Sequence, residues 1–424
     1  MDFFQNGVIT TLQKLNDRPV TEIEAGLEKH SQRQRIALVL PALFSEFEGD
    51  AMPRIVEELA GARYLDRVIV SLDRADEQQF RHACGVMSVL PTEVSILWND
   101  GPGLHGLLGD LRAANFDVAE RGKGRGVWLA MGYALADKRV HTIALHDCDI
   151  LGYRREMLAR LVWPIVDPGT DFEFAKGYYA RVDDRLYGRV TRLFYTPLVR
   201  TLRQLKADQS HASYRFFEFL DSFRYALSGE FAFIRSLAKG VRISPTWGLE
   251  VSILGEVFEK TTVERVCQVE IADTYKHKHQ PLSKGDPERG LVRMARDIAG
   301  TLFRIMAQGG FVMSKPFFQT VVASYLRYTR TAIEQYSALA QINGLDYDRH
   351  AEIEAVEAFV EALRAAEAGF RADPIGAPLM SSWVRVRSAL PDFSARLEAT
   401  VEDDNRRVAE TTRAAGVGES PALR

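Results

Sequence analysis

The sequence predicts an α/β protein: a mostly parallel, Rossmann-like sheet flanked by helices, with a helical region after it. Three observations predict this. Short apolar runs alternate with amphipathic stretches, as in IALVLPAL (Ile36–Leu43), RVIVSLD (Arg67–Asp73) and EVSILWND (Glu93–Asp100). Those runs are rich in Val, Ile and Leu, the composition of strands covered on both faces. From about Pro287 the strand signals thin out and helical spacing takes over.

In chain order, residues 1–33 read as an amphipathic, helical lead-in ending in a polar run. The first strand follows and is closed by Pro41. MPRIVEELAGA is a helix, RVIVSLD the second strand, EQQFRHACGVMSVL a crossover helix and EVSILWND the third strand. GLLGDLRAANF is a further helix. RGKGRGVWLAMGYALA (Arg121–Ala136) is a glycine-rich turn opening into a helix, directly before the strand HTIALHDCD. FAKGYYARV (Phe174–Val182) and GEFAFIR (Gly229–Arg235) read as strands, and YGRVTRLFYTPLVRTLRQL (Tyr187–Leu205) as a loop entering a helix. WGLEVSILGEVFEK (Trp247–Lys260) is a helix with a polar opening, and VERVCQVEI an edge strand leading into ADTYKHKHQPLSKGD. Pro287–Glu410 is helical, and Thr411–Arg424 a frayed tail. The expected division is a catalytic unit at 1–286 and a helical C-terminal extension at 287–424.

The 424 residues suffice for a large core, and 46% hydrophobic with 26% charged is ordinary for a globular protein. A net charge of -3 gives no electrostatic case for nucleic acid or a membrane surface. Cys84, Cys148 and Cys267 lie far apart and form no CxxC pair, which suits a reducing cytoplasm. The N-terminus lacks the pattern of a signal peptide. No stretch is apolar enough over about 20 residues to insert in a bilayer.

The chemistry centres on HTIALHDCDILGY (His141–Tyr153). Two carboxylates, Asp147 and Asp149, end a buried strand, where ligands of open α/β sheets bind. Alternation can turn both to one side. Such a pair suits a hard divalent cation, Mg²⁺ or Mn²⁺, shared with substrate phosphates. The plainer reading is a polar strand exit with an Asp cap. Gly122-Lys123-Gly124 joins a flexible turn, a cation and a helix N-terminus, a combination that suits phosphate. It lacks P-loop spacing, and a solvated lysine is the alternative. Glu250 sits in a helix opening, where an acid can simply complement the helix dipole. His277 and His279 alternate in a Pro-bounded loop, and one of them is a candidate metal ligand. Arg189 and Thr191 offer a guanidinium and a hydroxyl ahead of a helix, suited to phosphate or carboxylate or to a surface ion pair.

The order LPAL, VSLD, GKG, DCD, YGRVT, WGLE, HKHQPL, from Ile36 to Leu282, resembles the glucosyl-3-phosphoglycerate synthases, retaining glycosyltransferases of the GT-A fold. The resemblance implies that Pro41, Ala42, Leu43 and Asp73 hold the uridine, with Glu46 and Trp247 also on the donor. It puts Lys123 on the diphosphate and Asp147, Asp149 and His277 on the metal. It puts Glu250 on the sugar hydroxyls and Gly188, Arg189 and Thr191 on the acceptor's phosphate. The catalytic group is then Asp149, Glu250 and Lys123. Several positions depart from the family: Ser45 where an acid is common, Asp73-Arg74-Ala75-Asp76 for D-S-G-S, Trp247 for Tyr, and Tyr275, His279 and Gln280 for Arg, Asn and Arg.

The expected reaction moves glucose from a nucleoside diphosphate to 3-phospho-D-glycerate by front-face attack, within compatible-solute (glucosylglycerate) synthesis. Related synthases using another hexose or unphosphorylated glycerate are the nearest alternatives. A sugar-nucleotide pyrophosphorylase would need an N-terminal glycine-rich loop, and PALFSEFEGD has a single Gly49. A non-catalytic nucleotide-sugar-binding protein is a third class. The Ala/Leu faces of the helical tail suit a homodimer or an intramolecular cap.

Overall fold

The computed structural model describes residues 5, 7–205, 212–274, 281–376 and 378–414. Eight strands form one sheet: β1 (Thr10–Leu12), β2 (Arg35–Leu43), β3 (Leu65–Asp73), β4 (Glu93–Trp98), β5 (Val140–Leu145), β6 (Phe174–Ala180), β7 (Phe231–Ile234) and β8 (Val266–Thr274). Their spatial order is β1-β8-β6-β7-β5-β2-β3-β4. β7 runs antiparallel to β5 and β6; the other neighbours are parallel.

The helices of the first part are α1 (Val20–Ser31), α2 (Phe44–Phe47), α3 (Ala51–Leu59), α4 (Glu77–Met87), α5 (Pro102–Ala113), α6 (Lys123–Ala136), α7 (Arg155–Val166), α8 (Thr196–Gln204), α9 (Ala212–Ser222), α10 (Arg235–Gly240) and α11 (Leu249–Lys260). Then come α12 (Gly290–Gln308), α13 (Lys315–Ile342), α14 (Arg349–Ala372), α15 (Trp383–Ala389) and α16 (Phe393–Ala414). They cover both faces of the sheet. Alternation along β2 sends Ile36, Leu38 and Leu40 into one core and Ala37 and Val39 into the other.

The split that makes room for a ligand begins at Pro41. Val39 accepts a hydrogen bond from His146 N–H, so its polar groups face β5. Pro41, two residues on, faces the same way with no N–H to donate. The β2–β5 ladder therefore ends at Val39↔Leu145, while β2 pairs with β3 as far as Leu43↔Asp73. The strand thus runs past Pro41 instead of closing there. A gap opens beyond the carboxyl ends of β2 and β5, where the chain winds in opposite directions across the sheet.

Other expectations need correction. The lead-in is not wholly helical: β1 precedes α1 and pairs with β8, Thr10↔Cys267 to Leu12↔Val269. β8 is consequently interior, not an edge. Three residues are too few to show a strand period, and the pairing depends on buried Gln268, whose amide donates to Thr11 Oγ1 at 2.9 Å. The helices α7 and α9 also went unread. α16 continues through Ala414, so Thr411–Ala414 is helix, and 415–424 lies outside the described residues.

The helices after Gly290 share one hydrophobic core with the sheet. α16 returns to cover the edge strand β4. Its Asn405 accepts from Ile96 N–H at 3.0 Å and donates to Ile96 O at 2.8 Å, standing in for a neighbouring strand. Trp128 of α6 stacks on Trp383 of α15 with centroids 4.5 Å apart, and each indole donates to a backbone carbonyl beside the other.

Candidate active site

A cavity of about 550 Å³ opens at the β2–β5 split. Pro41, Ala42, Leu43, Glu46, Asp73, Lys123, Asp147, Asp149, Gly188, Arg189, Thr191, Trp247 and Glu250 all line it. The sequence singled out each of them. His277 lies in 275–280, outside the described residues.

Asp147 and Asp149 leave the end of β5. Asp147, Cys148 and Asp149 all line the cavity, and Cys148 is also part of the hydrophobic core. Burial pushes the Asp147 carboxyl above the ordinary range, Lys123 opposes that, and Asp149 adds to it. Gly229 lies against Asp147: a Cβ there would be 2.2 Å from Oδ2.

Lys123 opens α6. The glycines around it serve close packing as well as flexibility. A Cβ on Gly124 would fall 1.9 Å from Ser244 O, and Gly124 N–H donates to Pro245 O at 3.1 Å. The start of α6 is thereby pressed against the turn leading into α11, whose first turn carries Glu250. The Lys123 ammonium reaches Asp147 Oδ1 at 2.7 Å and Glu250 Oε1 at 3.1 Å. Burial works against its charge, but the two carboxylates outweigh burial and hold its pKa above the lysine range.

At the end of β3, Asp73 accepts two hydrogen bonds from Arg121, at 3.1 and 2.7 Å, and Arg121 also binds Asp100. The turn that departs from D-S-G-S holds Arg74 at φ 57°, a left-handed conformation. Asp100 secures it by accepting from Ala75 N–H at 3.0 Å.

On the far side, Gly188 turns the chain at φ 75° into a π-helical segment, Val190–Tyr195, that continues as α8. Wide turns of this kind recur at functional sites. Arg189 does not stand alone on the cavity wall. Its Nε donates to Glu352 of α14 at 2.8 Å.

Sequence reasoning missed several lining residues, among them Asn99, Arg121, Arg181, Arg185 and Arg293. Arg121 was recoverable as the neighbour of the GKG turn. Arg293 was not: α12 carries no motif, and only its packing brings it to the cavity.

Among the described residues, no group of three or more His, Cys, Asp or Glu side chains is placed to hold a metal ion. Asp147 and Asp149 still fit one in part. They offer hard oxygen donors on one wall, and the half-buried Asp147 carboxylate gains from any cation beside it. No helix among the described residues is long and apolar enough to cross a membrane.

No protein-family model matches the chain. A glucosyl-3-phosphoglycerate synthase of Persephonella marina is 58% identical over 404 residues, 95% of this chain and 99% of that one. Another, from Methanococcoides burtonii, is 34% identical over 409 residues, 95% and 98% of the two chains. Among solved structures, the Mycobacterium tuberculosis glucosyl-3-phosphoglycerate synthase in complex with Mn²⁺, UDP-glucose and phosphoglyceric acid superposes with a TM-score of 0.52 at 22% identity, covering 72% of this chain and 89% of that one. The mannosyl-3-phosphoglycerate synthase of Rubrobacter xylanophilus gives 0.52 at 21% identity, covering 68% and 80%. At those identities the structures share the GT-A fold, and the sequence relatives carry the family. With identity extending over nearly the whole of both chains, this protein belongs to the glucosyl-3-phosphoglycerate synthase family and is a hexosyltransferase.

Proposed function

We propose that the protein transfers glucose from UDP-glucose to the free hydroxyl of 3-phospho-D-glycerate, with retention of configuration. The observation that carries this reading is the convergence of Lys123, Asp147 and Glu250 on one cavity, in a chain 58% identical to a synthase of that name.

On this reading Pro41, Ala42, Leu43 and Asp73 hold the nucleoside end of the donor, and Glu46 and Trp247 also bind the donor. Asp147 and Asp149 would hold Mg²⁺ or Mn²⁺, with His277, and that ion supplies charge neutralisation at the leaving diphosphate. Lys123 adds a second positive charge there. Glu250, fixed by Lys123, orients the hexose hydroxyls. Gly188, Arg189 and Thr191 receive the acceptor's phosphate, Arg189 by charge-assisted hydrogen bonds.

The bond from the anomeric carbon to the diphosphate oxygen breaks, and a bond to the acceptor oxygen forms on the same face. The departing phosphate oxygen takes the acceptor's proton. The transition state is oxocarbenium-like.

The unit at 1–286 carries the donor machinery, and the extension at 287–424 completes the wall through α12. A homodimer is the assembly we favour, supported by the exposed Leu326, Leu339 and Ile342 of α13. A cytoplasmic setting is supported by three unpaired cysteines.

The test is a panel of UDP-glucose, ADP-glucose, GDP-glucose and GDP-mannose against 3-phosphoglycerate and glycerate, with and without Mg²⁺ or Mn²⁺. The anomeric configuration of the product is read by NMR. Product from UDP-glucose and 3-phosphoglycerate, α-linked like its donor, is expected. Preference for unphosphorylated glycerate, or an inverted product, overturns the reading.

A further inference from the structure

Glu352 is buried in the first turn of α14, in the helical extension. Its two oxygens are divided between two arginines of the segment after Gly188. Oε1 accepts from Arg189 Nε at 2.8 Å, and Oε2 from Arg192 Nη1 at 2.7 Å. The two arginines differ. Arg192 is buried and also donates to the backbone, giving Nε to Tyr187 O at 2.8 Å and Nη2 to Leu186 O at 3.0 Å. Arg189 has its side chain 36% exposed on the cavity wall, and among the described residues Nε is its one hydrogen-bonding nitrogen. Among the described residues neither terminal nitrogen donates to a protein acceptor.

A second tie runs alongside. Asp346, just before α14, donates its N–H to Asp184 O at 3.0 Å and bridges to Arg185. The start of α14 is thus fastened to this segment at Asp184, Arg185, Arg189 and Arg192.

A guanidinium on a flexible chain binds an anion well only when its plane is fixed beforehand. One carboxylate fixes Arg189 from behind and, through Arg192, the turn on which Arg189 rides. We infer that Glu352 is a positioning residue for the acceptor: through it α14 sets the geometry of the acceptor's anion site, its ion pairs going to Arg189 and Arg192 and to none of the donor residues. This inference rests on the reading of Arg189 as a ligand of the acceptor's phosphate.

The experiment measures KM for UDP-glucose and for 3-phosphoglycerate in Glu352→Gln, Glu352→Ala, Glu352→Asp and Arg189→Ala, with Leu363→Ala on the same helix as a stability control. Loss of a charge-assisted contact predicts an acceptor KM raised about tenfold or more in Glu352→Ala, and about threefold in the isosteric Glu352→Gln. Donor KM should stay within about twofold, and Glu352→Asp should recover part of the loss. Leu363→Ala should lower Tm without separating the two KM values. Equal changes in both KM values, or a fall in Tm alone, overturn the inference if Arg189→Ala still raises acceptor KM selectively. If Arg189→Ala leaves acceptor KM unchanged, the reading of the acceptor site itself is overturned. Glu352→Gln keeps the volume and one hydrogen bond, so it serves if Glu352→Ala does not fold.

Discussion

The Lys123 ammonium stands 2.7 Å from Asp147 Oδ1, with Glu250 Oε1 on its other side at 3.1 Å. One cation is therefore shared by two acids on the cavity wall, and the three groups together keep a negative charge. Replacing Lys123 with Met removes that charge while keeping the apolar stem. Transfer should fall by about 10²–10³-fold, the usual cost of removing one electrostatic donor at a reacting centre. Tm should fall too, and Mn²⁺ should restore more of it in the variant than in the parent, because Asp147 then lacks its own cation. Activity assays and thermal melts with and without Mn²⁺ check both.

Gly229 and Asp147 are in contact, and a methyl group at 229 would sit 2.2 Å from Asp147 Oδ2. Gly229→Ala should displace that carboxylate. We expect kcat to fall by about tenfold or more and stability by about 1–3 kcal/mol. Equal kcat in variant and parent would show that the carboxylate tolerates the shift.

His146 precedes Asp147 and is fully buried, with neither ring nitrogen hydrogen-bonded among the described residues. Burial pushes its pKa down to about 3, so it is neutral across the working range. An orphaned polar ring costs about 1–3 kcal/mol of desolvation, and an apolar side chain of similar volume avoids it. His146→Leu should be as stable as the parent or more so in denaturant titration. Destabilisation by more than about 2 kcal/mol would reveal an unseen partner for the ring.

Lys176 is buried on β6, donating to Ser228 O at 2.6 Å over the ring of Phe231. Burial, only partly offset by Glu250 and Glu230, lowers its pKa from 10.5 to about 8. Below that value the residue is charged in both states, and the burial penalty is present in full. Between about 8 and 10.5 the unfolded chain holds the proton more tightly, so stability from this residue rises with pH. The stability difference between parent and Lys176→Met should shift in the parent's favour by about 3 kcal/mol across that window. Denaturant titrations at intervals of pH check it, and a flat difference would contradict it.

Local pattern made much of the sheet readable. β2, β3 and β4 are buried on both faces and advertise it as apolar runs between polar turns. The site was readable where a strand or helix end carries an unusual polar residue: Asp147 and Asp149 after β5, Lys123 at α6, Glu250 at α11. β1 escaped because three residues carry no period, and that omission made β8 look like an edge. Arg293 and Glu352 escaped because each sits on a helix whose local spacing is that of any amphipathic helix.

The sequence by itself determined the α/β class, the order of the main strands and the residues that end them, because alternation, turn chemistry and the cost of burying charge act over a few neighbours. Only the tertiary structure decided which of those ends meet. Lys123 faces Asp147 and Glu250 because glycines let α6 touch the turn before α11. Arg189 meets Glu352 because α14 folds back onto the acceptor side, across a separation in sequence that no local pattern spans.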